Sequence, residues 1–212
     1  MALSFDLFGT LVTADRPSEP WDAVAEALSA RSVRVPAGWE DAYRSAHRDY
    51  DRGREAPLDE HVRLALASRG VEVTEATATE AVLDAFDGPV AVRDGAIEAL
   101  DAAAQRGPVA ICSNCSVPGL VERTLEQAAI ETRSGHAFDA VVTSVDCGWR
   151  KPHPNIFEAT ADALGVALAN LVHVGDDART DGGAGRAGAQ SVLLNDYPLP
   201  AIAEQLREGA LC

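Results

Sequence analysis

Short apolar runs alternate with helical segments along most of this chain, and that alternation restricts its fold more than any other feature. The first run, residues 3–8, is broken only by Ser4 and Asp6 and leads into Gly9-Thr10, the pattern of a buried strand that ends in a turn. Four more runs lie at 109–112, 140–143, 171–174 and 191–194. Helical periodicity fills 95–105, 117–129 and 155–164, a Gly-rich turn and short helix fall near 182–187, and a last helix covers 202–207. Strands joined by single helices pair in parallel, because each crossover brings the chain back in the same direction. The expected fold is a doubly wound, Rossmann-like parallel α/β sheet.

From about residue 17 to residue 87 the pattern is helical only. Apolar positions recur at helical spacing through Trp21-Val24-Leu28, Trp39-Tyr43-Ala46-Tyr50, Val62-Leu66 and Ala78-Val82-Phe86. Pro36, Pro57 and Thr74 stand near the starts of the later three, which suits helix entry. This predicts an α-helical cap, residues 16–87, inserted into an α/β core made of 1–15 and 88–212.

Composition sets outer limits. A chain of 212 residues with 47% apolar and 24% charged residues has the balance of a soluble domain. Four cysteines and no signal-like run after Met1 predict a reducing cytoplasm, and apolar stretches no longer than a strand exclude a membrane span. The net charge of −15 repels phosphate backbones and anionic lipid, so nucleic acid and membranes are excluded and a small molecule is left as partner. Seventeen of the 18 basic residues are arginine; together with the acidity, this fits a high-salt cytoplasm in which self-repulsion is screened.

In a doubly wound sheet, ligands bind beyond the carboxyl ends of the strands. There the sequence delivers Asp6 to Thr10 after the first run, Ser113-Asn114 after the second, Arg150-Lys151-Pro152 after the third, and Gly175-Asp176-Asp177 with Asp181 after the fourth. Asp6, Asp176, Asp177 and Asp181 would crowd up to four negative charges at one edge, an arrangement that calls for a cation. Oxygen ligands of this kind suit Mg²⁺, which keeps several waters and takes one or two carboxylates directly.

Four segments in this order resemble the motifs of the haloacid dehalogenase superfamily of phosphatases, dehalogenases and phosphotransferases. Phe5-Asp6-Leu7-Phe8-Gly9-Thr10-Leu11 is similar to its nucleophile motif, Ile111-Cys112-Ser113-Asn114 to the second, Lys151-Pro152 to the third, and Gly175-Asp176-Asp177 with Asp181 to the acidic fourth. The resemblance implies that Asp6 is the nucleophile and binds Mg²⁺ with Asp176 and the Phe8 carbonyl, while Asp181 and Asp177 hold the metal's waters. It implies further that Lys151 bridges Asp6 and substrate, and that Ser113, with Thr10 and Asn114 beside it, receives the substrate phosphate. The chain's one lysine stands in the slot where that family needs one.

Phe8 departs from the phosphatase pattern, which usually has a second aspartate two residues after the nucleophile to protonate the leaving group and activate water. The 2-haloacid dehalogenases carry an aromatic residue there, since a halide leaves without a proton. The favoured expectation is therefore Mg²⁺-dependent hydrolysis of a small phosphorylated metabolite through an Asp6 phosphoenzyme. Metal-free halide displacement by the same Asp6 is the alternative, and a non-catalytic binding protein on this fold is the third. Cys112-Ser113-Asn114-Cys115 forms a C-x-x-C without a second cysteine pair, read as coincidence. Gly182-Gly183-Ala184-Gly185 lacks the spacing of a phosphate loop and is read as permitting close packing. The five histidines show no ligand spacing, and His153 near Lys151 is the one to watch.

Overall fold

A computed structural model of the chain describes residues 1–211. Its centre is a five-stranded sheet in the order β5-β4-β1-β6-β7, where β1 is Ala2–Phe5, β4 Val109–Ser113, β5 Ala140–Thr143, β6 Leu171–Gly175 and β7 Gln190–Leu193. Every pairing is parallel. Successive residues point to opposite faces, as strand geometry requires. Leu3, Phe5, Ile111 and Val174 enter the main apolar cluster, while Cys112 packs with Ile156, Phe157 and Ala184 on the other side.

The helices cover both faces. They are α5 (Ala96–Ala104), α6 (Leu120–Ala128), α7 (Ile130–Ser134), α8 (Ser144–Cys147), α9 (Pro154–Ala163), α10 (Gly183–Ala187) and α11 (Leu199–Glu208). The helix expected over 117–129 is α6, which Ala129 ends in a left-handed conformation with φ 49°; the short α7 that follows was not expected. No helix among the described residues is long and apolar enough to cross a membrane.

The run at 3–8 is a strand only as far as Phe5. Beyond it the Leu7 carbonyl accepts from the amides of both Leu11 (2.9 Å) and Val12 (3.0 Å), which winds the chain into a tight loop. Leu7 stays fully buried, so the apolar pattern continues although the strand does not. Gly9 sits at φ +87°, and a Cβ there would lie 2.5 Å from Asp176 Oδ2. Two three-residue strands, too short to give a periodic signal, were not expected: β2 (Val12–Ala14) pairs antiparallel with β3 (Val90–Val92). The chain leaves the sheet along one and returns along the other.

Between them lie four helices, α1 (Pro20–Ala30), α2 (Trp39–Arg44), α3 (Leu58–Ala67) and α4 (Glu75–Phe86). Pro20 opens α1 and the Thr74 hydroxyl caps α4 by accepting from Thr77 N at 3.1 Å. Helix α2 stops at Arg44 instead of reaching Tyr50, since Ser45 turns extended. The segment that follows runs onto the sheet domain, where Arg54 makes an isolated bridge with Trp149.

Phe5 is fully buried on the central strand, one residue before Asp6. Phe5→Ala is expected to lower the unfolding free energy by about 3–5 kcal/mol, read as a shift in the urea midpoint without a change in slope.

Candidate active site

Asp6 is the first residue beyond β1, and its amide still donates to Val174 O at 2.9 Å. With β4 on one side and β6 on the other, Ser113, Asp176 and Asp181 are brought to the same point. Lys151 arrives from the segment after α8. Its Nζ donates to Asp6 Oδ1 (2.8 Å), Asp181 Oδ1 (2.6 Å) and Cys112 O (2.8 Å), which uses all three ammonium protons. Ser113 Oγ donates to the same Asp6 oxygen at 3.1 Å. Asp6 Oδ2 receives only a long contact from Thr10 Oγ1, 3.4 Å, among the described residues. That oxygen is the more open of the two.

Asp181 is held from several sides. His173 Nε2 lies 3.0 Å from its Oδ1, and the Asp177 amide donates to its Oδ2 at 3.0 Å. A carboxylate only accepts, so Nε2 carries the proton, and the Ser4 hydroxyl, 2.9 Å from Nδ1, donates to the bare nitrogen. Ser4, His173 and Asp181 are all buried. This chain of bonds was not expected from the sequence. Its signal was present, however, in a histidine within an otherwise apolar strand.

The charges do not balance. Burial opposes the Lys151 ammonium, but Asp6 and Asp181 outweigh it and hold the amine well above its ordinary value. Burial likewise opposes the Asp181 carboxylate, yet the His173 bond and Lys151 hold it well below the usual range. Burial keeps His173 below its ordinary value and therefore neutral. Asp176 carries the excess: burial, then the charges of Asp6 and Asp181, push its pKa up. Oxygens of Asp6, Asp176 and Asp181 lie within 4.8 Å of one another. Because Asp181 is already bonded, Asp6 and Asp176 are the pair open to a cation. Two carboxylates with the Thr10 hydroxyl between them form a hard oxygen donor set that fits Mg²⁺.

The other residues singled out in the sequence fall as follows. Thr10 lies between the two carboxylates, 3.3 Å from Asp176 Oδ1. Asn114 joins two loops, donating to Lys151 O (3.0 Å) and accepting from Lys151 N (2.7 Å). The Asp177 carboxylate turns outward to Arg179 at 3.2 Å and is not brought into the cluster. His153 stacks on Trp149 with ring centroids 4.0 Å apart. Burial pushes the Cys112 and Cys115 thiols up to about 11, so the C-x-x-C has little thiolate character. Gly183 closes on Pro152, where a Cβ would sit 2.5 Å from the proline Cβ.

Beside this centre a cavity of about 100 Å³ opens between sheet and helical insert, lined among others by Phe8, Arg16, Phe86, Asn114, Val117 and Arg150. The Arg16 guanidinium lies over the Phe8 ring, 5.2 Å from its centroid.

The Lys151–Asp181 pair stabilises the fold between about pH 4 and pH 10, the ordinary values of the two groups. The Asp181 contribution is lost as pH falls through its depressed pKa, and that of Lys151 as pH rises through its raised one. Lys151→Met leaves Asp6 and Asp181 buried without a counter-charge and is expected to cost about 3–5 kcal/mol at pH 7. Denaturant titrations should show that deficit shrinking as pH falls toward 4, where the orphaned carboxylates take up protons.

Comparison with known proteins gives the family. The family model of haloacid dehalogenase-like hydrolases matches residues 1–188. Haloacid dehalogenase-like hydrolase domain-containing protein 3 of Xenopus laevis is 34% identical over 110 residues, covering 51% of this chain and 43% of that protein. Among solved structures, the L-2-haloacid dehalogenase from Xanthobacter autotrophicus aligns with a TM-score of 0.54 at 23% identity, over 100% of this chain and 84% of that one. A protein described as a predicted phosphoglycolate phosphatase from Haemophilus somnus aligns at 0.56 and 18% identity, over 98% and 97%. At these identities the solved structures show the fold alone, and they stand on both sides of the phosphatase–dehalogenase divide. The fold, the family match and the convergence on Asp6 together make this chain a member of the haloacid dehalogenase-like hydrolases.

Proposed function

We propose that the protein is a Mg²⁺-dependent phosphatase of a small phosphorylated metabolite that works through an Asp6 phosphoenzyme. One observation carries this reading: three carboxylates meet a single ammonium beside a neutral histidine, and the excess charge falls on Asp176. Such a site has use for a divalent cation, whereas halide displacement by a carboxylate has none. Asp6 and Asp176, with the Phe8 carbonyl, would hold Mg²⁺, which when bound supplies the positive charge that lets a phosphate dianion approach a carboxylate.

The protein's own groups account for the rest. Lys151 and Ser113 fix Asp6 Oδ1 and so aim Oδ2. That oxygen attacks phosphorus, the ester P–O bond breaks, and the leaving group departs with its electron pair. Water then cleaves the acyl phosphate and regenerates Asp6. Lys151 stays charged throughout and offsets the negative charge that builds on the transferring group.

Phe8 supports the second reading, a 2-haloacid dehalogenase, because it has no proton to give. The deciding experiment assays p-nitrophenyl phosphate, alkyl phosphomonoesters and 2-haloacids with and without Mg²⁺. The phosphatase reading expects phosphate release that needs Mg²⁺ and is abolished in Asp6→Asn. Haloacid turnover indifferent to EDTA, with no phosphate release, would replace it. In the absence of metal, Asp176→Asn is expected to raise the melting temperature at pH 7, since it removes a repelled charge, and to abolish any rise on adding Mg²⁺.

Phe8 also predicts a leaving-group dependence. General acid catalysis is typically worth roughly 10²–10⁴-fold, so aryl phosphates should be cleaved far faster than alkyl ones, and Phe8→Asp should narrow the gap. Equal rates for both classes would mean that another residue supplies the proton. Asp15, an exposed carboxylate that lines the cavity with Phe8, is then the first to replace.

A further inference from the structure

Glu55 lies in the segment between α2 and α3 of the helical insert, yet its side chain is 1% exposed and reaches across to the sheet domain. Its Oε1 accepts from Arg150 Nη1 at 3.0 Å and from the Ala56 amide at 2.9 Å, and its Oε2 accepts from Ser144 Oγ. Ser144 Oγ in turn accepts from the Cys115 amide at 2.9 Å. Main-chain bonds reinforce the contact: Glu55 N to Gly148 O (3.1 Å), Arg150 N to Gly53 O (2.9 Å) and Leu58 N to Ser116 O (2.8 Å). One carboxylate thus reaches both loops that serve Asp6. Through Ser144 it holds the backbone two residues beyond Ser113, and through Arg150 it holds the residue next to Lys151.

Apolar contact would attach the insert to the sheet domain without the desolvation that a buried carboxylate entails. What a carboxylate adds is direction. Ser144 has one proton, and giving it to Glu55 turns an oxygen lone pair toward the Cys115 N–H. The Arg150 guanidinium, which lines the cavity beside Phe8, is tethered by the same group. Asn114, bonded to both the amide and the carbonyl of Lys151, transmits any shift in one loop to the other.

We propose that Glu55 is a positioning residue through which the helical insert holds the 113–116 and 148–151 loops in register for reaction at Asp6. The site is then fully assembled only while the insert rests on the sheet domain. The proposal depends on Asp6 as the reacting group and is indifferent to whether phosphate or halide leaves.

The test compares wild type, Glu55→Gln and Ser144→Ala by amide hydrogen exchange and by turnover of p-nitrophenyl phosphate with Mg²⁺. Glutamine keeps the shape but removes the negative charge that faces Arg150 and puts an NH₂ group in place of one accepting oxygen, so that Ser144 can no longer give its proton as it does to the carboxylate. In both variants, exchange is expected to accelerate about tenfold or more in the 113–117 and 148–152 segments, with β1 and β6 unchanged. Turnover number should fall about 10- to 100-fold per folded molecule, the scale of a small misplacement of catalytic groups. The double variant should lose little more than either single one, because the two residues act in one chain of bonds. Unchanged exchange in both segments, exchange accelerated uniformly along the chain, or a turnover number within twofold of wild type would overturn the proposal. If wild type itself leaves p-nitrophenyl phosphate untouched, the phosphatase reading fails alone, and the exchange pattern still decides the role of Glu55.

Discussion

The ammonium of Lys151 is the point on which the site closes. It bonds carboxylates from two strand ends and a carbonyl from a third, so it ties β1, β4 and the segment after β6 in a single contact. Each of those groups would be unfavourable alone: a buried amine, and two carboxylates crowded at the edge of a low-dielectric core. Together they offset one another, because every proton of the amine has an acceptor. Removing the amine leaves two carboxylates buried without a counter-charge.

Topology makes this meeting possible. With β1 central and its neighbours β4 and β6 on opposite sides, the chain reverses its winding at β1, and the crevice beyond its end is open to groups from both halves. The tight turn after Phe5 and the left-handed Gly9 keep Asp6 and Asp176 close enough to share Thr10. The short β2–β3 pair then carries the chain out to the helical insert and back at nearly the same place, which leaves the insert beside the strand ends that it covers.

The elements that follow from hydrophobic period were legible in the sequence, namely the five parallel strands, their crossover helices and the four helices of the insert. The residues at the strand ends were legible by position, since sheets of this kind present their carboxyl ends to ligands. Elements governed by single hydrogen bonds were not. The strand at 3–8 is cut short by carbonyl bonds at Leu7, and α7, β2 and β3 are too brief for any periodic signal. Within the site, Ser4 was not legible because its partner His173 lies 169 residues away, and His173 because a single histidine in a strand shows no ligand spacing. Asn114 has the residue type of a substrate ligand, but its amide joins two loops. Glu55 was one more acid in an acidic chain, and only its burial sets it apart.

A chain whose positive charge is carried almost wholly by guanidinium groups has an unusual surface chemistry. Its one ε-amine belongs to Lys151, and that amine is buried against Asp6 and Asp181. Acylation, glycation and conjugation of protein tags to lysine therefore have no side-chain target on the outside of these 212 residues. The same chemistry, carried out on unfolded or partly opened molecules, would strike the residue that the folded site can least do without. Lysine acylation thus becomes a mark of molecules that have opened, written on the group that keeps the others closed.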